Sequence, residues 1–203
     1  AGVELAGLQD EVHAETFEDI RAALESEFGA RLEEKYVSFD PNPLASASIG
    51  QVHRAQMRAP TGQEPTQNDL IDVVVKVQRP NIEAIVEVDL SALRVVGRWV
   101  QRYPPIRKRA NVPALLEEFS RSLYEEIDYL NEGRNAEAFA ANFADQEGVC
   151  VPTVYWGWTT RRVLTMEDIR AIKITDYAAI EAAGIARSEV ATRLLDTYLK
   201  QVF

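Results

Sequence analysis

The sequence predicts an α+β fold in which an antiparallel sheet is combined with amphipathic helices. Residues 71–77 form a β-branched run, as strands often do. Residues 44–52 are small and carry no helical stripe, which favours a strand, a tight loop and a second strand. Several longer segments repeat apolar residues every three or four positions, which is typical of helices with one buried face.

Composition places the chain among ordinary globular proteins. Its 203 residues are 46% hydrophobic and 27% charged, which is enough for one substantial core or two small ones. The net charge of −10 repels phosphate backbones, so we expect no nucleic-acid partner. The lone cysteine, Cys150, excludes an internal disulfide framework. No uncharged run approaches the roughly 20 apolar residues that span a bilayer. We therefore expect an intracellular protein, cytoplasmic or organellar.

The first half of the chain divides into helix, hairpin and helix. Thr16 opens the first helix through a capping box, and Gly29 ends it. The small-residue segment and the β-branched strand then form a hairpin around a polar loop at residues 58–70. A helix over residues 80–103 follows and ends before Pro104. Its inward face is expected to carry Ile82, Ile85, Val86, Leu93, Val96 and Val100.

The second half is expected to contain a long helix, two strands and a further helix. The long helix covers residues 113–143, and the strands follow at residues 151–158 and 162–167. From Asp176 the chain returns to helix, in which Ser188 is the expected N-cap. The apolar faces of these two helices are Leu116, Phe119, Leu123, Ile127 and Leu130 in the first, and Val190, Leu194, Tyr198 and Val202 in the second.

The small-residue loop carries the first chemical signal. Ala45, Ala47, Gly50 and Val52 stand in the register G-x-G-x-x-G-x-V of the kinase phosphate loop, with alanine at the first two glycine positions. Small residues let backbone N–H groups close over phosphates. Alanine disfavours positive φ angles, so we expect a stiffer and differently shaped loop. Taken alone, the pattern is explained equally well by a simple turn between strands.

Lys76 gives the second signal, because it follows the loop where kinases carry their strand lysine. A lysine at that position contacts the α and β phosphates of a nucleotide. An isolated lysine in a β-branched strand is more simply an outward-facing residue. The order of loop and lysine makes an accidental match much less credible.

The long predicted helix supplies carboxylates that could orient this lysine. At 100° per residue, Glu125, Asp128, Glu132 and Asn135 fall on one stripe opposite the apolar face. The stripe continues into two phenylalanines, Phe139 and Phe143, which indicates that it faces protein. A solvated acidic face is the usual alternative for such a run.

These motifs together resemble the UbiB family of atypical protein-kinase-like proteins, also called aarF-domain or ADCK kinases. The resemblance runs from about Leu5 to Phe203. It rests on the alanine-rich loop at residues 43–55, the lysine strand at 75–80, the E-x-D and E-x-x-N segments at 126–135, and the strands leading to the hinge at 151–156 and 163–167.

The resemblance implies a protein-kinase-like small lobe with family-specific helices, followed by the start of a helical large lobe. It divides the chain into an N-terminal helical extension (1–40), a small lobe with inserted helices (41–167) and a truncated large lobe (168–203). The family's K-x-G-Q element normally precedes the segment that residues 4–10 resemble, and is absent. Ala171 stands where a glycine is common after the hinge, which puts the local turn geometry in question.

The resemblance also implies an ATP site. Lys76 would pair with Glu132 as the catalytic pair, and Met166 and Glu167 would contact adenine at the hinge. Two further acids, Glu126 and Asp128, would form a regulatory acidic pair. The residues expected to cover the nucleotide are Ala45, Ser46, Ala47, Ser48, Ile49, Gly50, Gln51 and Val52. No metal site is expected within the chain, because the catalytic loop and the Mg²⁺-binding D-F-G segment would lie beyond Phe203.

The parent protein would then be an atypical kinase or ATPase that supports prenylquinone metabolism of the ubiquinone type at a membrane. A noncatalytic module that senses nucleotide and docks lipids or partner proteins is the alternative. A helical scaffold with accidental motifs is a third, which the ordered motifs disfavour. Expected partners are a nucleotide, membrane lipids and quinone-biosynthesis proteins.

A cluster of basic residues suggests peripheral membrane contact. Such a patch attracts anionic lipid headgroups. Pairing with the acidic first helix or the Glu-rich long helix explains the cluster equally well. Its members are Arg94, Arg98, Arg102, Arg107, Lys108 and Arg109.

Overall fold

The computed structural model describes residues 14–59 and 70–202. Backbone contacts divide the chain into two units, one up to Asp168 and one from Ile169. Residues 4–10 and nearly all of the predicted polar loop lie outside the described residues. The three-domain division stays a prediction.

Helix α1 (Phe17–Phe28) forms as its end signals predict. The Thr16 hydroxyl accepts a hydrogen bond from the Asp19 N–H at 3.2 Å, and Gly29 ends the helix in the left-handed region with φ of 62°. Ile20 and Leu24 are fully buried. A short helix, α2 (Leu32–Lys35), follows. The two helices cover one face of the sheet.

The sheet of the first unit is antiparallel throughout, which confirms the predicted α+β architecture. The described strands run in the order β1-β3-β4-β5, and β2 also pairs with β3. They are β1 (Ser38–Phe39), β2 (Ala45–Ser46), β3 (Gly50–Arg58), β4 (Leu70–Gln78) and β5 (Val163–Glu167).

The two faces of the sheet have different surroundings. Val73, Val75 and Val77 pack against α1 and α2. Side chains alternate along a strand, so Lys76 lies on the opposite face, and its register partner Val52 lies there with it. The hairpin of β3 and β4 therefore presents Lys76 away from the main core.

Helix α3 (Ile82–Val100) buries a narrower face than the spacing predicts. Its buried residues are Ile82, Val86, Leu90 and Gly97. Three residues expected to face inward are instead exposed by about half: Ile85 (52%), Leu93 (42%) and Val96 (52%). The prediction failed because apolar residues occur around most of this helix, and packing selected the side on which Gly97 admits Leu116.

The single helix predicted over residues 113–143 is wrong, because the chain forms two. Helix α4 (Pro104–Arg107) leads into α5 (Val112–Glu126), and α6 (Tyr129–Asn142) follows after a break. Asp128 is the N-cap of α6, and its carboxylate accepts a hydrogen bond from the Leu130 N–H at 3.1 Å. Aspartate favours such caps over helix interiors. Phe119, expected on the apolar face of this segment, is 49% exposed.

The strand predicted over residues 151–158 is also wrong. Only Val154 forms a β-bridge, with Met166, and Trp156–Trp158 form one 3₁₀ turn. Pro152 lacks the N–H that a regular ladder requires. The Trp158 indole N–H donates to the Lys35 carbonyl oxygen at 3.0 Å, which holds the turn on the first unit's core.

The second unit contains helices α7 (Tyr177–Ala182) and α8 (Arg187–Val202). Asp176 caps α7 by accepting from the Ala179 N–H at 3.0 Å. The expected cap Ser188 is wrong, because α8 already begins at Arg187, whose guanidinium stacks on the Tyr177 ring at 4.1 Å.

Candidate functional site

Lys76 and Glu132 meet although they are far apart in the chain. The Lys76 Nζ lies 2.7 Å from Glu132 Oε2 and 2.9 Å from Oε1. Their side chains are 29% and 40% exposed, so the pair stays accessible from solvent. The family resemblance implied that these two residues would pair. Their catalytic role stays a prediction.

The break before α6 is what carries Glu132 to the sheet. The Tyr129 N–H donates to the Arg161 carbonyl oxygen at 3.0 Å, and the Arg161 guanidinium lies 3.4 Å from the Asp128 carboxylate. These contacts fix the start of α6 beside β5. Tyr129 and Glu132 are three residues apart and share one face of the helix. Both therefore reach Lys76.

The predicted regulatory pair is divided between two environments. Glu126 is exposed and lines a cavity beside the Lys76–Glu132 ion pair. Asp128 instead caps α6 and pairs with Arg161. Its carboxylate is thus engaged in holding the helix start. Regulation through these two residues stays a prediction.

The alanine loop is a short turn between β2 and β3. The Ala47 N–H donates to the Gly50 carbonyl oxygen at 2.8 Å. Among the described residues other than glycine, only Asn81 and Arg170 have positive φ angles. Ala45 and Ala47 therefore avoid the positive φ angles that alanine disfavours. The stiffer and differently shaped loop expected from these alanines stays a prediction.

Arg79 anchors this loop, although the sequence motifs gave it no role. Its backbone N–H donates to the Ile49 carbonyl oxygen at 2.9 Å, and its Nε donates to the Ala47 carbonyl oxygen at 3.1 Å. Its guanidinium also pairs with Glu15 at 2.6 Å. The signal that could have found it is its place three residues after Lys76, where the strand turns back toward the loop.

A cavity of about 740 Å³ opens beside the ion pair. Its lining residues are Ile49, Lys76, Glu125, Glu126, Tyr129, Asn131, Glu132, Arg134 and Asn135. The structure thus brings one loop residue, the strand lysine and the α6 carboxylate to one space. Asn131, Arg134 and Tyr129 also line this space, although the sequence motifs gave them no role.

Other predicted contact residues are not among those that line this cavity. Gln51 is fully buried and shares the core face of the sheet with Val77, its register partner. The Glu167 carboxylate accepts from the Thr153 hydroxyl at 2.9 Å, and Met166 packs on the cluster around Leu164. The residues absent from its lining are Ala45, Ser46, Ala47, Ser48, Gly50, Gln51, Val52, Met166 and Glu167. Their roles in covering or contacting the nucleotide stay predictions.

The charged side chains that line the cavity suit a nucleotide that binds together with a metal ion. Lys76 and Arg134 supply positive charge for phosphate oxygens, whereas Glu125 and Glu126 would repel a bare triphosphate. Carboxylate oxygens are the ligands that Mg²⁺ prefers, usually together with substrate phosphates. Within the described ranges, no group of three or more acidic, histidine or cysteine residues could hold a metal by itself. The residues present therefore fit Mg²⁺ bound jointly with a nucleotide.

The family follows from sequence comparison. A family model described as the ABC1 atypical kinase-like domain matches residues 7–203. The chain belongs to this family. "Probable protein kinase UbiB" of Azotobacter vinelandii is 36% identical over 98% of this chain and 35% of the relative. "Protein ACTIVITY OF BC1 COMPLEX KINASE 8, chloroplastic" of Arabidopsis thaliana is 38% identical over 98% of this chain and 25% of the relative. These names confirm the resemblance to UbiB and ADCK proteins.

A solved ABC1-like structure supports the fold. The Rv3197–erythromycin complex of Mycobacterium tuberculosis matches with a TM-score of 0.64 and 28% identity, over 86% of this chain and 39% of that chain. The predicted kinase-like N-lobe is thereby confirmed. The chain spans about a quarter to a third of the length of the curated relatives it matches.

Proposed function

We propose that this chain is the ATP-binding portion of a UbiB-like atypical kinase or ATPase. The observation that carries the proposal is the Lys76–Glu132 ion pair beside a cavity that the loop residue Ile49 also lines. In protein kinases a lysine–glutamate pair of this kind positions the lysine on the α and β phosphates. The family, the fold and the order of the motifs support the same assignment.

In this proposal, each residue of the site has one defined role. Lys76 binds phosphate oxygens, and Glu132 keeps its ammonium directed into the cavity. Arg79 holds the loop closed through the Ala47 and Ile49 carbonyl oxygens. When bound, Mg²⁺ would neutralise phosphate charge, and Glu125 and Glu126, which line the cavity, would share its coordination with the ligands expected beyond Phe203. The 203 residues contain neither an H-x-D nor a D-F-G segment, so phosphoryl transfer is proposed for the parent protein only.

Calorimetric titration of the purified chain with Mg-ATP tests the assignment. We expect saturable binding that weakens at least tenfold in Lys76→Ala, because the main phosphate contact is lost. Lys35→Ala is the matched control, since Lys35 lies on the Phe28 ring outside the cavity. Equal affinity of the wild type and Lys76→Ala would refute the proposal.

The names of two relatives support a proposal for the cellular role. We propose that the parent protein supports prenylquinone metabolism inside the cell or an organelle, together with quinone-biosynthesis proteins. One relative carries the name UbiB, and another is called chloroplastic. If the full-length protein bound nucleotide without turnover, a nucleotide-sensing module that docks lipids or proteins would replace the enzyme.

A surface on α3 supports contact with a membrane. The exposed residues at positions 85, 88, 92, 95 and 99 are all apolar and recur at spacings of three and four, so they form one stripe along the helix. Trp99 is 66% exposed at the end of the stripe, and Tyr103, just beyond the helix, is 60% exposed. Aromatic residues of this kind sit well at the level of lipid headgroups.

The basic cluster lies beside this stripe. Residues 94–109 include six bases and no acid in a chain of net charge −10. Arg94 lies 3.8 Å from Glu117 of α5, so the pairing expected as the alternative is formed there. The other exposed bases are Arg98, Arg102, Arg107, Lys108 and Arg109. An apolar stripe with bases at its side fits an anionic lipid surface. No described helix is long and apolar enough to cross a bilayer.

Sedimentation with lipid vesicles tests this surface. We expect the chain to bind vesicles containing 30% phosphatidylglycerol and not to bind vesicles of pure phosphatidylcholine. The double variant Arg98→Glu/Arg102→Glu should lose most of this binding, whereas Arg31→Glu/Arg58→Glu carries the same charge change elsewhere and should retain more of it. Equal losses of vesicle binding in the two variants would show that binding depends on net charge alone. That result would refute the proposal that this surface contacts the membrane.

A further inference from the structure

Tyr129 contacts both the strand lysine and the loop of the proposed nucleotide site. The Lys76 Nζ lies 4.7 Å from the centroid of its ring. A Cβ atom built on Gly50 would lie 2.5 Å from its hydroxyl oxygen. Its side chain therefore bridges the two features that the site depends on.

The ring gives the Lys76 ammonium a second partner. A cation over an aromatic face is attracted by the electron-rich π system. Glu132 holds the same ammonium at 2.7 Å from the next turn of α6. Because Tyr129 and Glu132 share one face of the helix, the ammonium is held between a ring and a carboxylate, and its range of positions is narrower than with a carboxylate alone.

Tyr129 is itself rigidly placed. It is 1% exposed and packs with Val154 and Leu164. Its backbone N–H is bonded to the Arg161 carbonyl oxygen. Burial, and to a smaller extent the Glu132 carboxylate, raise the pKa of Tyr129, so the phenol is neutral. Its hydroxyl has no hydrogen-bond partner among the described residues.

We propose that Tyr129 is a positioning residue of this site: its ring holds the Lys76 ammonium in line with Glu132, and its hydroxyl end limits how closely the loop approaches at Gly50. The first part acts on Lys76 whether or not nucleotide is present. The consequence for nucleotide binding rests on the proposed function.

The acylation rate of Lys76 tests the ring contact directly. Position 129 is filled in turn with phenylalanine and with its mono-, di- and trifluorinated forms, which withdraw electron density from the ring and change its shape little. Lys76 labelling by an amine-reactive ester is followed by mass spectrometry. We expect a rate within twofold of wild type for Tyr129→Phe, then a stepwise increase of about threefold to tenfold across the fluorinated series.

The matched control is Lys35, whose Nζ lies 5.1 Å from the Phe28 ring. Its labelling rate should stay constant in all these proteins, which separates a local change at Lys76 from a change of the whole fold. A rate at Lys76 that does not respond to fluorination would overturn the proposal. If Tyr129 had only a structural role, the labelling rate of Lys76 would be the same at every degree of fluorination.

Mg-ATP affinity of the same proteins tests the consequence. We expect a threefold to tenfold weakening at full fluorination, and no weakening in Phe28→Leu. A wild-type chain that binds no nucleotide would refute the proposed function, while the labelling series would still decide whether Tyr129 positions Lys76. Stepwise labelling with unchanged affinity would overturn the claim that this positioning serves nucleotide binding.

Discussion

Gly50 and Tyr129 lie so close that no side chain fits between the loop and α6. A Cβ atom at Gly50 would lie 2.5 Å from the Tyr129 hydroxyl and 2.5 Å from the Val77 carbonyl oxygen. Gly50 does not have a positive φ angle. Glycine is therefore required here for space, because the start of β3 lies against the hydroxyl of the tyrosine whose ring contacts Lys76.

Gly50→Ala is accordingly expected to destabilise the chain by about 1–3 kcal/mol, because the added methyl group overpacks the site. Urea unfolding followed by circular dichroism measures the loss. Gly157→Ala is the control, since nothing lies within 4 Å of a Cβ atom there. Equal unfolding midpoints for the two variants would contradict the close packing at Gly50.

Replacing Ala45 or Ala47 by glycine should weaken nucleotide binding about twofold to fivefold, or change the preference between ATP and ADP. Neither alanine is strained, so glycine only adds flexibility, at a cost of about 0.5–1 kcal/mol. Titration of the full-length protein with each nucleotide measures the effect. Ala92→Gly on the exposed side of α3 serves as control. Titration curves that coincide with wild type would remove the loop from the mechanism.

The chain by itself should not turn over ATP, even where it binds the nucleotide. Phosphoryl transfer needs a metal-binding aspartate, a catalytic-loop aspartate and an asparagine, and no H-x-D or D-F-G segment supplies them within the 203 residues. Phosphate release with Mg-ATP is measured for wild type and Lys76→Ala. Turnover that disappears in Lys76→Ala would require a catalytic carboxylate within this chain, and Glu126 and Asp128 would be examined first.

His53 should make stability depend on pH in a defined direction. Burial lowers the pKa of His53 below its ordinary value of 6.5, although its Nδ1–H donates to the Asp40 carbonyl oxygen at 2.9 Å. The unfolded chain then binds a proton at a higher pH than the folded chain. Stability is full above about pH 6.5 and falls as the pH drops from there toward the lower folded pKa.

Urea unfolding between pH 7.5 and pH 5 measures this dependence. We expect a smaller loss over this range in His53→Asn, because asparagine can donate to Asp40 and does not titrate. Carboxylates titrate alike in both proteins, so the difference between the two curves belongs to His53. Parallel curves would contradict the assignment.

Much of the site was predictable because its parts are local in the sequence. Small residues around Ala47 cannot form a helical stripe, a β-branched run around Lys76 favours a strand, and the carboxylate Glu132 follows on a helix. These preferences depend on neighbouring residues only. They determined the antiparallel hairpin. The pairing of Lys76 with Glu132 joins residues 56 positions apart, and it was implied by the family resemblance rather than by local preference.

Where the local sequence of a segment favoured two structures equally, only the tertiary structure decided which one formed. Asp128 has the right spacing for a helix interior and the right chemistry for a cap, and its contact with Arg161 beside β5 selected the cap. Helix α3 is apolar on most sides, so packing determined which side is buried: Gly97 admits Leu116, and the cluster of Ile82, Val86 and Leu90 packs with Ile49 and Leu123. The contact of Tyr129 with Gly50 and Lys76 joins segments distant in the chain. Local preferences carry no information on such contacts, because the energy that decides them arises only when the segments pack.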